Sequence, residues 1–308
     1  MKNLIYIIAI SVITITSAVA QQLPYTSQLN DNRALWNPAA TAYGTHMVTN
    51  VHMRQQWIGF DGAPRTGSLM AEYPLLDYNM SGGAALTFDK TGPVSKIGLQ
   101  LNYAYKLQNI FTRDGQLSAG ISAGFTQYAF DPSNAVVNDT EDPLANGGRA
   151  TTFFPSVTAG VFYISNPKKF DGGNVFFTGL SYSQVYAGDV LANSADQERY
   201  NHVFFEIGTR IQNRDSYFEP SLMFNYTNPD LSNMILTGKY EMKDAFWAGL
   251  GYSSASDISI QGGYILPEIG SRYDELRFGI LANYGISDTA TQFGLGVEAI
   301  VTYAYNLD

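Results

Sequence analysis

The sequence predicts an all-β fold, a transmembrane antiparallel β-barrel of about 14 strands that occupies residues 46–308. Three observations predict it: apolar and polar residues alternate along most of the chain, many alternating segments run for about ten residues, and tyrosines recur at their ends. The composition agrees, with 14% aromatic residues, 29 glycines and a mean hydropathy of −0.10. Such values suit apolar residues spread thinly over many strands better than the packed core of a soluble enzyme.

The first 20 residues, 1–20, predict a cleavable secretory signal peptide. Lys2 precedes an apolar run of roughly a dozen residues, and Ala18-Val19-Ala20 forms a small-x-small cleavage site. The run is too short, and too interrupted by Ser and Thr, to favour a membrane-anchor helix. Residues 21–45 do not alternate, and two placements stay open for them: a periplasmic arm or a plug segment in the barrel mouth.

The barrel strands are predicted from segments that carry large apolar residues on one parity and small or polar residues on the other. In one of them Ile97 and Leu99 alternate with Gly98 and Gln100. A barrel explains this segregation, since large residues face lipid, small polar ones face the lumen, and closure removes edge strands. A soluble sandwich or propeller would alternate with less consistent segregation. The segments begin near residues 46, 65, 81, 96, 115, 153, 174, 201, 217, 232, 244, 257, 273 and 291.

The connections predict the orientation of the barrel. Residues 131–152 and 187–200 are long, polar and acidic, whereas 213–216 and 242–245 are tight. Long loops outside and short turns in the periplasm are typical of outer-membrane barrels. With an even strand number and both termini in the periplasm, the first connection, 58–64, points outward.

Charged residues on the polar parity are predicted to face the lumen, because charges facing lipid would be costly. Their signs nearly balance, which favours mutual pairing and a filled lumen over a strongly ion-selective pore. The predicted lumen-facing charges are Arg54, Glu72, Lys106, Glu206, Arg210, Glu219, Lys239, Glu241 and Glu298.

Catalytic, cofactor and metal sites are not predicted, and neither is an enzyme. The chain has no cysteine, and its three histidines lack metal-ligand spacing: His46 and His52 would lie about 20 Å apart along one strand. No phosphate loop or nucleophile–base motif stands out. The formal charge of −9 argues against a nucleic-acid partner.

The first hairpin, RQQWIGFDGAP, concentrates unusual backbone chemistry at the predicted outer rim. Gly59 and Gly62 can adopt positive φ, Pro64 fixes φ where the next strand begins, and Asp61 can cap N–H groups of the turn. Trp57 falls on the lipid-facing parity, as an interfacial aromatic would. Two interpretations stay open, a folding device and a rigid platform for a partner.

This corner resembles the signature of the PorP/SprF family, in which a polar residue and Gln-Trp precede G-x-x-G-A-P. Further blocks are similar to that family in the same order: LWNPAATAYG (35–44), the segment 83–107, EPSLMFNY (219–226) and DAFWAGLGYSS (244–254). Ser253, where the family often has arginine, and the terminal Asp308 depart from its pattern. The matching corner residues are Arg54, Gln55, Gln56, Trp57, Gly59, Asp61, Gly62 and Pro64.

The resemblance implies a non-enzymatic outer-membrane component of the type IX secretion system of Bacteroidetes. Its implied partners are outer-membrane lipid, other secretion components and the C-terminal sorting domain of a secreted surface protein, such as a gliding adhesin. The alternative is an outer-membrane channel for a hydrophobic or small polar solute. An empty lumen would favour transport, and a blocked lumen with a bound protein would favour docking.

Overall fold

The computed structural model describes residues 31–134, 150–167, 173–185, 190–192, 195–197, 200–228, 231–255, 257–270, 273–286 and 294–307. The expected signal peptide lies outside the described residues, and so do residues 21–30 and the acidic stretch 139–142. The helices among the described residues are too short or too polar to span a lipid bilayer.

Strands account for most of the described chain. One short helix, α1, spans Arg33–Trp36, and single 3-10 turns span Pro38–Ala40, Leu76–Tyr78 and Pro132–Asn134. The strands are β1 His46–Gln55, β2 Arg65–Leu75, β3 Met80–Thr91, β4 Val94–Gln108, β5 Gln116–Phe130, β6 Ala150–Ile164, β7 Val175–Ser183, β8 Val190–Ala192, β9 Ala195–Gln197, β10 His202–Gln212, β11 Ser216–Asn228, β12 Leu231–Met242, β13 Phe246–Ser253, β14 Asp257–Pro267, β15 Glu275–Gly285 and β16 Leu295–Asn306.

Fourteen of these strands form one closed antiparallel barrel, which confirms the predicted fold class. Each strand pairs with its neighbours along the chain, β7 pairs with β10, and β1 closes the barrel against β16. In that closing pair His46 lies opposite Asn306 and Arg54 opposite Glu298. The sequence pattern did not predict β8 and β9, which form a separate hairpin in the connection expected to be a plain loop. Strands of three residues are too short to show an alternation.

Two strands begin two residues later than the pattern predicts. β13 begins at Phe246 because Asp244 turns the chain with a φ of 55°. β15 begins at Glu275, directly after Asp274, whose carbonyl accepts a hydrogen bond from the Glu268 N–H at 2.8 Å. The expected start of the last strand, residue 291, lies outside the described residues, and β16 itself begins at Leu295.

The two faces of the wall differ as the alternation requires. In β4, Leu101 is 58% exposed while the next residue, Asn102, is 6% exposed. Apolar side chains on the outer face would contact lipid tails, and polar side chains on the inner face contact one another. The membrane therefore takes the place of a hydrophobic core on the outside, and the described interior is largely polar.

The connections fall into two groups at opposite ends of the barrel. The end that carries the start of β1 also carries 76–79, 109–115, 165–174, 213–215, 243–245 and 268–274. The other end carries 56–64 and the two longest connections, 131–149 and 184–201. Long connections are typical of the extracellular end of outer-membrane barrels, which favours an outer-rim position for residues 56–64, and we call them the outer-rim corner.

Candidate functional site

The outer-rim corner, residues 56–64, is a turn closed by its own backbone. The Gln56 N–H donates to the Pro64 carbonyl at 3.0 Å, and β2 begins at the residue after this proline. Gly59 and Gly62 have φ angles of 102° and 75°, which side chains of L-residues rarely adopt. The two glycines therefore supply the backbone conformation that this turn needs.

Hydrogen bonds on both sides hold the corner to neighbouring elements. The Ile58 N–H donates to the Leu295 carbonyl of β16 at 3.0 Å. On the other side, the Gly92 N–H donates to the Gly62 carbonyl at 2.9 Å and connects the corner to the turn between β3 and β4. The backbone of the corner is consequently fixed against two adjacent parts of the rim.

Two details of the corner differ from the sequence expectations. Trp57 lies beyond the end of β1 with a φ of 50°, so strand alternation does not set its direction, and its side chain is half-buried. Among the described hydrogen bonds of the turn, the Phe60 N–H donates to the Trp57 carbonyl at 3.1 Å and the Ala63 N–H to the Phe60 carbonyl. Backbone carbonyls thus do the capping that was expected of Asp61.

We predict that Gly62→Ala loosens the corner, because an alanine at this φ costs about 1 kcal/mol or slightly more. Thermal unfolding of the purified barrel in detergent should show a correspondingly lower midpoint. Gly44→Ala is the control, since its added Cβ would meet only the Pro167 carbonyl oxygen at 3.9 Å. Equal unfolding midpoints for Gly62→Ala and Gly44→Ala would show that an alanine at position 62 is not strained.

The interior of the barrel contains a stretch of the chain itself, residues 31–45, which we call the lumenal segment. It comprises α1, the 3-10 turn at Pro38–Ala40 and the residues that lead into β1. Its side chains and carbonyls contact walls on several sides: the Ala34 carbonyl accepts from Asn102 of β4, and the Trp36 carbonyl accepts from Ser181 of β7. The segment therefore crosses the lumen instead of following one strand.

Arg33 is the main charged contact between the lumenal segment and the wall. Its Nε lies 3.0 Å from Oε2 of Glu206 on β10, and one terminal nitrogen lies 3.2 Å from Oε1 of Glu219 on β11. The other oxygen of Glu219 accepts from Nε of Arg210 at 2.9 Å. The guanidinium of Arg33 also stacks over the Phe177 ring, 4.3 Å from its centroid. A buried row of alternating charges thus joins the segment to two strands.

Burial and charge act in opposite directions on the ionisable groups of the lumenal segment. Burial by itself would lower the pKa of Arg33, but attraction to Glu206 and Glu219 raises it above its usual value. Burial would raise the pKa of Asp31, and attraction to Lys239 and Arg277 outweighs that effect and lowers it. Both groups are therefore ionised at neutral pH.

Glycines on the inner face give the lumenal segment room to approach the wall. A Cβ on Gly120 of β5 would lie 2.5 Å from the carbonyl carbon of Pro38, and a Cβ on Gly160 of β6 would lie 3.0 Å from Cγ of Asn37. Next to Gly160, the Val161 carbonyl accepts from Nδ2 of Asn37 at 3.0 Å. The small residues on the inner face thus leave the space that the backbone of the lumenal segment occupies.

The end of the lumenal segment is held by a second pair of charges. The Ala42 N–H donates to Oε2 of Glu72 on β2 at 2.5 Å, and the Ala42 carbonyl accepts from Nζ of Lys106 on β4. Thr41 contributes its carbonyl, which accepts from the Ser81 hydroxyl at 2.6 Å. Glu72 and Lys106 therefore fix the backbone of Ala42 on both sides of its Cα, shortly before β1.

Two further groups of buried charges line the wall. Glu298 accepts from Asn283 at 2.7 Å and lies 2.9 Å from Nε2 of His52 and 3.2 Å from Nε of Arg54. Glu241 accepts from the Tyr217 hydroxyl at 2.6 Å. It also pairs with Arg277 and Lys239, and Lys239 extends to Asp31 at 3.1 Å.

All nine charges predicted to face the lumen are buried at the positions described above, and the structure brings them into four groups. The sequence analysis did not name Arg33, Arg277 or His52 as partners of these charges. The inner-face position of Arg277 could have been read from the sequence, since it alternates with the apolar residues Leu276 and Phe278. Arg33 had none, because residues 21–45 show no alternation from which a direction could be read.

Metal-binding groups are not assembled in the described part of the barrel. No group of three or more His, Asp or Glu side chains among the described residues could hold a metal ion. The buried carboxylates instead face arginine, lysine, histidine, tyrosine or amide donors. This arrangement can hold a peptide segment and order the lumen.

The sequence profile of the type IX secretion system membrane protein PorP/SprF matches residues 18–303. The chain belongs to the PorP/SprF family. It is a secretion-related β-barrel of the outer membrane, and membership implies association with that membrane and with components of the secretion system. No curated protein matches the sequence.

Solved structures similar to this PorP/SprF barrel share its fold at low sequence identity. The CymD monoaromatic hydrocarbon channel is 12% identical with a TM-score of 0.54, over 92% of this chain and 94% of that one. The P. putida toluene transporter TodX is 12% identical with a TM-score of 0.53, over 90% and 94%. A Pseudomonas aeruginosa FadL homologue is 11% identical with a TM-score of 0.50, over 88% and 93%.

Proposed function

We propose that this PorP/SprF barrel acts without catalysis, by docking the C-terminal sorting domain of a secreted surface protein at the outer rim. Family membership supports the connection to secretion, and gliding adhesins are one class of cargo that fits it. The structural observation that supports docking is the outer-rim corner. It combines a fixed backbone with two exposed apolar side chains, Ile58 and Phe60, which are 50% and 53% exposed.

A fixed apolar surface is suited to binding because little conformational entropy is lost when a partner covers it. Single exposed apolar residues are common on proteins and need no partner. Ile58 and Phe60 differ from such residues because they lie two positions apart on a turn whose backbone is bonded to β16 and to the β3–β4 turn. The corner therefore presents its apolar groups in one defined arrangement.

The test is affinity purification of the tagged barrel from its native outer membrane in mild detergent, followed by mass spectrometry. We expect a surface protein to remain bound through its C-terminal domain. Replacing Ile58 and Phe60 by serine should reduce that retention about tenfold or more, as expected for residues at the centre of an interface.

The matched control is Phe111→Ser. Phe111 is 84% exposed but lies in the connection between β4 and β5, at the end opposite to the corner. This variant should retain cargo as the wild type does. Equal losses for both variants, or a barrel that is recovered without cargo in every case, would contradict docking at the corner.

A second candidate function is a channel for a hydrophobic or small polar solute. The fold likeness to CymD and TodX, which are described as a monoaromatic hydrocarbon channel and a toluene transporter, favours it. The lumenal segment contacts several sides of the wall inside this barrel, so its position bears directly on this candidate. Solute-dependent uptake by cells that carry the barrel, with no bound cargo, would favour the channel over docking.

A further inference from the structure

The lumenal segment is held in the barrel by side-chain contacts. The described hydrogen bonds between two backbone groups of residues 31–45 are local, such as the Asn37 N–H to the Arg33 carbonyl at 2.9 Å and the Thr41 N–H to the Pro38 carbonyl at 3.2 Å. Contacts with the wall pass through groups such as Arg33 and Asn37. A strand of the wall, in contrast, is fixed by a ladder of backbone bonds to two neighbours.

Charge pairs of this kind are compatible with release of the segment. Burying an ion pair removes both ions from water, and that cost offsets much of their mutual attraction. If Arg33 leaves, Glu219 keeps its partner Arg210, at 2.8 Å and 2.9 Å. Glu72 and Lys106, which both contact the backbone of Ala42, likewise keep their attraction for each other. The wall therefore retains compensation for several of its charges when the segment is absent.

From these contacts we propose that the lumenal segment is a reversible stopper, which closes the barrel at rest and opens a water-filled passage when it leaves the wall. The passage is lined by the charged and amide side chains of the inner face. The segment stays attached through β1, so it can return to the same site. The inference concerns the lumen and does not rest on docking at the corner; cargo retention and ion conductance are separate measurements.

The chain contains no cysteine, so an introduced pair can lock the segment without competing disulfides. Cγ of Asn37 lies 3.0 Å from the position of a Cβ on residue 160. A disulfide places the Cβ of one cysteine about 3 Å from the sulfur of the other, so Asn37→Cys with Gly160→Cys has suitable geometry. The oxidised and reduced forms of this variant then differ only in whether the disulfide between residues 37 and 160 is formed.

The experiment measures ion conductance of single barrels in planar lipid bilayers. Arg33→Ala removes the main charged contact between the segment and the wall. We expect the Arg33→Ala barrel to open at least ten times as often as the wild-type barrel. In the Arg33→Ala background, the oxidised Asn37→Cys/Gly160→Cys pair should close the barrel, and dithiothreitol should restore the openings. Gel mobility with and without heating verifies that each variant is a folded barrel.

Two results would overturn the proposal. Openings of Arg33→Ala that persist in the oxidised form would show that the current passes elsewhere. A folded Arg33→Ala barrel that stays as closed as the wild type would show that the segment is a fixed part of the interior.

A second measurement tests the stopper if the Arg33→Ala barrel does not fold. Thr41 is fully buried in the lumenal segment, and cysteine is close to threonine in size, so Thr41→Cys reports its exposure in an otherwise natural chain. We expect a water-soluble maleimide to label this thiol while the barrel remains folded. Protection that lasts until the barrel itself unfolds would reject the stopper. Ser122→Cys, a buried inner-face residue of β5, gives the rate for a site on the wall.

Discussion

Glu219→Ala is expected to lower the free energy of unfolding of the barrel by about 3–5 kcal/mol, as the loss of one member of a buried ion pair does. Glu219 is 2% exposed and lies between Arg33 of the lumenal segment and Arg210 of β10. Its removal leaves Arg210 buried without its carboxylate partner. Urea unfolding of the purified barrel in detergent, followed by tryptophan fluorescence, measures the change.

Two further variants separate the charge of Glu219 from its hydrogen bonds. Glu219→Gln keeps an acceptor for one arginine and should lose less stability than Glu219→Ala. Asp114→Ala removes an exposed carboxylate from the β4–β5 connection and should stay within about 0.5 kcal/mol of the wild type. A Glu219→Ala barrel as stable as Asp114→Ala would refute a buried charge network at this wall.

Gly120→Ala should destabilise the lumenal segment by about 1–3 kcal/mol, the usual cost of overpacking. Its added methyl would lie 2.5 Å from the carbonyl carbon of Pro38 and 2.6 Å from Cα of Ala39, and backbone atoms cannot move aside as a side chain can. The segment must shift away from β5 or leave the wall. Cleavage of the folded barrel by a protease within residues 31–45 should therefore become faster.

Gly82→Ala is the matched control for that experiment. The new methyl would meet only the Asn102 carbonyl oxygen, at 3.9 Å, which is an ordinary contact. Alanine is otherwise at least as compatible with a strand as glycine. If Gly120→Ala and Gly82→Ala are cleaved at the same rate, the lumenal segment does not lie as close to β5 as the structure indicates.

These two variants test different interactions of the same segment. Glu219 contacts it through a charge on one wall, and Gly120 lies against its backbone on another. If the segment is a reversible stopper, Gly120→Ala should also raise the conductance of the barrel. If it is a fixed interior, Gly120→Ala should lower stability with no change in conductance.

The inner and outer faces of the strands were predictable because side chains alternate along a strand with a period of two. That rule is local, so it needs no knowledge of which strands are neighbours. It placed Glu206, Glu219 and Glu298 on the inner face, and all three are buried there. The glycines of the corner were predictable for a similar reason, since positive φ is a property of one residue.

The partners of these charges were not predictable from alternation. Glu298 is 246 positions from His52, and Glu206 is 173 positions from Arg33. Barrel closure creates the first contact, and the path of the lumenal segment creates the second. Arg33 and Asn37 lie in a stretch with no period, so no local rule indicates where their side chains point.

The fold class, the order and faces of the strands, the glycines of the corner and the family could be read from the sequence, because each depends on residues close together in the chain or on motifs in a fixed order. The segment that lies in the lumen and the charges that pair there became apparent only in the folded barrel, because these contacts join the lumenal segment to strands on several sides of the wall. Their geometry exists only after β1 has paired with β16.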